Sequence, residues 1–135
     1  MANISISDAI AVADFRAALR SFMRHSERVA RKSGLTPQRY LLLLMVKGAP
    51  DGSEQSTVTE LAQRLQLAQS TVTELVSRAE SAGLIEREQS SSDARVAYLR
   101  LSSEGERRLA LAFTALATER AHLREAVAHL EGVAG

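Results

Sequence analysis

Apolar side chains recur every three or four positions along residues 8–32, which is the spacing of one face of an α-helix. Gly34 then predicts the end of this first helix. Arginines recur every four residues on a roughly opposite face. We expect this row to be solvated or ion-paired, and contact with nucleic acid is the alternative. The apolar stripe contains Val12, Phe15, Leu19, Phe22 and Val29, and the row contains Arg16, Arg20, Arg24 and Arg28.

Thr36 and Pro37 predict the start of a second helix, since a proline in the first turn has no N–H left unsatisfied. The helix continues through QRYLLLLMV and ends before KGAPDGSEQS (47–56), whose composition indicates a loop. Thr57 and Glu60 have the spacing of a capping box, which predicts the start of a third helix. The tetrapeptide TVTE occurs at 57–60 and again at 71–74, and we interpret both copies as helix starts.

A fourth helix follows the third after two or three residues and ends at Gly83. Each of these two short helices has one apolar face, with helical spacing, that predicts burial. Next, residues 84–88 and 95–101 alternate in polarity, and a serine-rich tip joins them, which predicts a β-hairpin. The predicted buried faces contain Val58, Leu61, Ala62 and Leu65 in the third helix and Val72, Leu75, Val76 and Ala79 in the fourth.

Residues 103–131 predict one long final helix, because apolar side chains alternate at spacings of four and three. This narrow seam is interrupted only at Arg120, and we expect a partner helix to cover it. The seam contains Leu109, Phe113, Leu116, Arg120, Leu123, Val127 and Leu130.

Two helices joined by a tight turn and followed by a hairpin predict a winged helix-turn-helix. The fold class is therefore mainly α with a small β-hairpin, in one domain over residues 1–135. A winged lobe at 36–101 lies between helices at 8–33 and 103–131. Both flanking helices carry apolar stripes, so we expect them to form a homodimer.

Charge and composition restrict the function. The net charge is only +1, and fifteen of the seventeen cations are arginine, so any contact with a polyanion depends on locally placed guanidinium groups. The absence of cysteine excludes disulfides, thiolate nucleophiles and thiol redox sensing. The longest apolar run, residues 41–46, is too short to cross a bilayer, and no secretory signal opens the chain, so we expect a cytoplasmic protein without a membrane partner.

Small hydrogen-bonding side chains cover the outer face of the fourth helix. Such a face fits a DNA major groove, where each base pair presents a distinct pattern of donors and acceptors; a merely solvated face is the alternative. Arg95 in the hairpin tip is placed to enter the adjacent minor groove, and Asp93 to turn the loop or hold the guanidinium. The predicted DNA contacts are Gln69, Ser70, Thr71, Thr73, Glu74, Ser77, Arg78, Arg87, Asp93 and Arg95.

Several segments, in this order, resemble the MarR family of winged-helix transcription regulators. They are GLTPQRYLLLLMV (34–46), TVTELAQRLQLAQSTVTELVSRAESAGLIERE (57–88), the Asp-x-Arg wing motif DAR (93–95) and LRLSSEGERRL (99–109). The resemblance implies a homodimer that binds double-stranded DNA at pseudo-palindromic operators and represses transcription. It also implies release of the DNA by a small aromatic or phenolic effector.

Three departures from the family pattern stand out. Glu74 replaces a frequent arginine, so it would repel phosphate but could accept a hydrogen bond from cytosine. The loop at 47–56 is longer than usual. We also expect the chain to lack the separate last helix that completes the family's dimer interface.

Other sites are considered from the same residues. His25, Arg28 and Tyr40 are candidates to bind an effector where the first, second and last helices meet, with a purely structural role as the alternative. Glu119, His122, Glu125 and His129 share a helix face, but a carboxylate-bridged metal site needs matching motifs on other helices. We therefore expect no metal, no cofactor and no enzymatic activity. A winged-helix module that binds protein without reading DNA is the alternative function.

Overall fold

The computed structural model describes residues 3–134, so residues 1, 2 and 135 of the predicted domain lie outside the described residues. The fold class is confirmed as mainly α with one hairpin. The elements, in chain order, are α1 (Ile6–Lys32), α2 (Pro37–Lys47), α3 (Val58–Leu65), α4 (Gln69–Ser81), β1 (Ile85–Gln89), β2 (Ala97–Leu101), α5 (Ser103–Ala115), α6 (Ala117–Ala128) and a final 3-10 turn (His129–Gly132). Over residues 3–134, no helix is both long and apolar enough for a membrane span.

Local capping chemistry explains where the early helices begin. The Thr36 hydroxyl accepts from the Arg39 N–H at 3.1 Å, with Pro37 in the first turn of α2. At α3, Thr57 and Glu60 form the predicted capping box, each side chain accepting from the other's N–H at 3.2 and 2.9 Å. By contrast, α4 begins after Ala68, which provides no side-chain cap. The second TVTE therefore lies inside α4, and its interpretation as a helix start is wrong.

The turn between α3 and α4 occupies only residues 66–68. Gln66 adopts the left-handed conformation, with φ 58°, and the Leu67 N–H donates to the Ala62 carbonyl at 3.1 Å. This turn allows both helices to bury their apolar faces in one core. The fully buried side chains there include Leu61 of α3, Val72, Val76 and Ala79 of α4, and Leu42 of α2.

The hairpin pairs β1 and β2 antiparallel, with Ile85 opposite Leu101 and Arg87 opposite Leu99. A third, one-residue strand that the sequence did not predict adds to it. Buried Ser56 forms a bridge to Leu99, with N–H to carbonyl distances of 3.1 and 2.8 Å. The segment before α3 is thereby attached to the sheet.

The C-terminal segment is two helices, so the prediction of one continuous helix over 103–131 is wrong. Leu116 leaves the helical conformation (φ −99°, ψ 8°) and is fully buried, and the following helix α6 packs against α1. The seam is accordingly split, because Leu109 and Leu116 are buried while Phe113 is half exposed. A separate last helix, α6, therefore exists, contrary to expectation. Burial of Leu116 and packing of α6 on α1 explain the break, since no glycine or proline marks it in the sequence.

The start of α5 is attached to the winged lobe through backbone contacts. The Ser102 hydroxyl accepts from the Gly105 N–H at 3.0 Å and donates to the Gly83 carbonyl at 2.6 Å. The Ser102 N–H donates to the Leu84 carbonyl at 3.0 Å. Gly105 lies directly against that same carbonyl, where a Cβ atom would be only 2.2 Å from the oxygen. This junction therefore fixes α5 relative to the end of α4 and the start of β1.

A second attachment holds α5 near the end of α1. Glu104 accepts hydrogen bonds from Arg107 at 2.5 Å and from Arg108 at 2.7 Å, and these bonds lower its pKa to about 2. Arg108 in turn donates to the Gly34 carbonyl at 2.8 Å. The Glu104 carboxylate thus remains ionised at any ordinary pH and keeps Arg108 directed at the turn between α1 and α2.

Candidate nucleic-acid interface

Small hydroxyl side chains make up much of the face of α4 opposite the core. Ser70, Thr71, Thr73 and Ser77 are all exposed, while the four apolar residues predicted to be buried are buried. The first turn of α4 also lacks a side-chain cap, so its N–H groups are free of side-chain acceptors. The face is slim and rich in hydroxyls, which allows close approach to another surface.

Glu74 and Arg78 form an ion pair one turn apart on this face. The distance from Arg78 Nη2 to Glu74 Oε1 is 2.5 Å, and both side chains are about two-thirds exposed. Glu74 is therefore matched by a cation, which offsets its repulsion of phosphate. Glu74 and Arg78, which were predicted as separate DNA contacts, thus form one ion pair.

Gln69, at the start of α4, forms a side-chain hydrogen bond to α3. Its amide donates to the hydroxyl of Thr59 in α3 at 3.3 Å. The contact connects the beginning of α4 to the first turn of α3. Gln69 therefore helps to fix the angle between the two helices, while remaining exposed at the edge of the α4 face.

Arg95 lies in the hairpin tip between β1 and β2, and its side chain is exposed to solvent. Asp93 Oδ1 accepts from the Arg95 backbone N–H at 3.0 Å and from its Nε at 3.3 Å, and the Arg95 side chain remains 90% exposed. These hydrogen bonds lower the pKa of Asp93 below its usual value, so it stays charged. Both roles considered for Asp93, turning the loop and holding the guanidinium, are thus combined.

The serines of the tip contribute to this order. Ser90 Oγ accepts from the backbone N–H groups of Ser92 and Asp93 at 3.2 and 3.3 Å. The Ser90 N–H donates to the Val96 carbonyl at 2.9 Å, and Val96 donates to the Asp93 carbonyl at 3.0 Å. The tip is therefore a turn stabilised by hydrogen bonds among its own residues, and it exposes the Arg95 guanidinium.

Arg87 is engaged inside the lobe. Its guanidinium donates to Glu80 of α4 at 2.7 Å, and this bond raises the pKa of Arg87. The pair connects β1 to the last turns of α4. Arg87 therefore braces the hairpin against α4 in this structure, while Arg95 is much more exposed.

The three residues predicted to bind an effector do not share one cavity. Buried Tyr40 lines a cavity of about 230 Å³ between α1, α2 and the α5–α6 junction. His25 and Arg28 instead line a shallow groove on α1, and His25 Nε2 is 4.0 Å from Glu119. The structure therefore does not bring His25 and Arg28 together with Tyr40 in one site, because neither lines the cavity around Tyr40.

Arg120 is a cavity residue that the sequence did not assign to this site. Its guanidinium lies 3.8 Å above the centre of the Phe113 ring, a cation–π contact. Burial raises the pKa of Tyr40, although the charge of Arg120 opposes the shift. The polar interruption of the apolar seam at Arg120 was the available signal. The cavity is otherwise mainly apolar and is lined by Phe22, Met23, Ser26, Glu27, Pro37, Tyr40, Leu41, Leu44, Phe113 and Arg120.

Metal-binding groups do not converge in residues 3–134, where no group of three or more histidine or acidic side chains is arranged to hold an ion. The face that carries His122 and His129 on the C-terminal segment is largely exposed.

This architecture is that of a winged helix-turn-helix protein. Residues 33–96, which include the helix-turn-helix and most of the hairpin, match the model of the MarR family. A mutant of E. coli MarR complexed with operator DNA shares 19% identity with this chain and has a TM-score of 0.70, over 86% of this chain and 84% of that chain. The winged lobe is therefore similar to the MarR family, and the whole chain has the fold of these regulators.

Two further solved structures share the fold. YusO from Bacillus subtilis is 23% identical, with a TM-score of 0.66 over 88% of this chain and 90% of that chain. A mutant of S. aureus MepR bound to an oligodeoxyribonucleotide is 20% identical, with a TM-score of 0.66 over 82% of this chain and 79% of that chain. None of the curated proteins matches the sequence.

Proposed function

We propose that the protein is a sequence-specific, double-stranded-DNA-binding transcriptional repressor that acts as a homodimer on an inverted repeat. The observation that carries this proposal is the pairing of two features on one lobe. These are the slim hydroxyl-rich face of α4 and the exposed guanidinium of Arg95 beside it. A helix in the major groove and an arginine in the adjacent minor groove together read base edges and groove width.

Exposed apolar side chains support the homodimer. Ile6 and Ile10 lie one turn apart on α1 and are 80% and 56% exposed, and Ile4 precedes them at 79%. Phe113 and Val127, in α5 and α6, are also about half exposed. A second copy that covers these surfaces would remove apolar area from water, and twofold pairing would set the spacing of two α4 helices.

The alternative, a module that binds protein without reading DNA, was favoured by the low net charge and by Glu74. The Arg78 partner of Glu74 removes the second of these arguments, because the acid no longer stands alone on the α4 face. The cation at the hairpin tip is also 90% exposed, whereas the hot spots of protein interfaces cluster in well-packed, desolvated pockets.

Selection of bound duplexes from a random pool tests the proposal. We expect an inverted repeat whose half-sites are one helical turn apart, about 34 Å. Binding to the selected duplex should weaken steeply with salt, since log K falls by about 0.9 per log unit of salt for each phosphate neutralised. A pool that shows no enrichment, from a protein that sedimentation shows to be folded and dimeric, would contradict the proposal.

We also propose that the cavity around Tyr40 accepts a small aromatic anion that releases DNA. Its apolar lining suits a ring, Arg120 offers a cation, and the raised pKa keeps the Tyr40 hydroxyl protonated as a donor. The cavity lies between the winged lobe and helices α1, α5 and α6, so a bound ligand would contact both parts.

Benzoate provides the probe for this site. Arg120→Gln should weaken benzoate binding roughly tenfold or more, because a hydrogen bond to a charged group contributes about 1.5–3 kcal/mol. Calorimetry measures the affinity, and Arg124→Gln, an exposed cation on the same helix, is the matched control. Equal benzoate affinity in both variants would remove Arg120 from the proposed site.

A further inference from the structure

The outer face of α1 carries a row of arginines without carboxylate partners. Arg16, Arg20, Arg24 and Arg28 are all exposed, and a shallow groove follows the row past Ala17 and Ser21. Within residues 3–134, no ion pair connects any of the four to an acid. The row was expected to be solvated or ion-paired, and ion pairing is not observed among these residues.

Most cations of the winged lobe pair with acids, although Arg39 and Arg64 have no acid partner among residues 3–134. Arg78, Arg87, Arg95 and Arg100 pair with Glu74, Glu80, Asp93 and Glu88 respectively. On α1, residues 16–32 contain six cations and a single acid, Glu27, which borders the cavity around Tyr40 instead. Among residues 3–134, the largest group of cations without an acid partner therefore lies on α1.

The spacing and chemistry of the row fit phosphate groups. Positions four apart on a helix rise by about 6 Å, so the row extends roughly 18 Å along α1. Guanidinium groups bind phosphate oxygens through paired N–H donors. Protein hot spots lie in well-packed pockets that exclude water, whereas the groove between the arginines is shallow and is lined by Ala17, Ser21 and His25.

His25 belongs to the wall of the groove. Its Nδ1 is hydrogen-bonded to the Ser21 carbonyl at 2.9 Å, and its Nε2 is 4.0 Å from Glu119 of α6. The Glu119 carboxylate thus lies near His25 and forms no ion pair with an arginine of the row, so the arginines remain available to an external anion.

We propose that the α1 arginine row is a second DNA-binding surface, which holds the phosphate backbone of duplex DNA without reading its sequence. Helix α1 packs against α2, α5 and α6, so the row belongs to the flanking helices and not to the winged lobe. It would hold either DNA that flanks the operator or a separate duplex. This surface does not depend on operator recognition by α4.

The test compares two variants with the same loss of charge, Arg20→Gln/Arg24→Gln in the row and Arg107→Gln/Arg124→Gln on α5 and α6. Binding to a duplex of random sequence is measured over a range of salt concentrations. The row variant should bind more weakly, and its slope of log K against log salt should decrease by about 1.8, or about 0.9 for each lost phosphate contact. The control variant should retain the original slope.

Two further measurements distinguish the sources of phosphate. Affinity that increases when an operator duplex is lengthened, and that depends on the row, indicates flanking DNA. Capture of a second labelled duplex by an immobilised one indicates bridging, and either result supports the proposal. Equal slopes for the two variants would overturn it, as would conversion of the row variant to a monomer, which would assign the row to the dimer interface. Loss of operator selectivity without loss of random-duplex binding would contradict only the function proposed for α4.

Discussion

Gly105→Ala should destabilise the protein by about 1–3 kcal/mol or more, because the new methyl group has no space. Its Cβ would lie 2.2 Å from the Leu84 carbonyl oxygen and 3.5 Å from Leu101 Cβ. The obstacle is backbone, so it cannot move aside as a flexible side chain would. Displacement of α5 would also strain the Ser102 bonds to Gly83 and Leu84. Urea denaturation followed by circular dichroism measures the change in the free energy of unfolding.

Gly132→Ala is the matched control for this prediction. A Cβ at Gly132 meets no atom within 4 Å, so this variant should remain within about 0.5 kcal/mol of the original protein. If Gly105→Ala were as stable as Gly132→Ala, the close approach of α5 to Leu84 would not exist in solution.

Arg95→Ala should weaken binding to the selected operator by roughly 5- to 150-fold, which corresponds to about 1–3 kcal/mol. The side chain is 90% exposed and supports no part of the core, so the free energy of unfolding and the oligomeric state should be unchanged. Fluorescence anisotropy with a labelled operator measures the affinity, and the loss should be greatest for operators with A/T-rich flanks, where the minor groove is narrow.

Arg107→Ala removes an exposed cation from α5 and serves as the control for charge alone. Arg95→Lys is a second comparison, since it keeps the charge but loses the planar fork. An operator affinity for Arg95→Ala equal to that of Arg107→Ala would show that the hairpin does not enter DNA.

Local signals in the sequence were sufficient for the winged lobe. Thr36 with Pro37, and Thr57 with Glu60, define helix starts through contacts within four residues, and the apolar spacing of α4 defines its buried face. The helix break at Leu116 has no such signal. It depends on how α6 packs against α1, a contact between residues that are far apart in the chain.

In the candidate site, too, features set by local sequence were predictable, and those set by contacts between distant residues were not. Exposure of the small side chains of α4 and the Asp93–Arg95 turn follow from local patterns, and the structure agrees with both. The pairing of Arg87 with Glu80 requires the hairpin to fold against α4. The separation of Tyr40 from His25 depends on the rotation of α1 against α2, which apolar spacing fixes only approximately.

The junction of Ser102, Gly105 and Leu84 joins the end of α4, the base of the hairpin and the start of α5 through close backbone contacts. In the proposed homodimer, a tilt of α5 relative to the second copy would therefore change the distance between the two α4 helices. If the proposed dimer accepts operators with different half-site spacing, we expect the adjustment to occur at the helix break at Leu116.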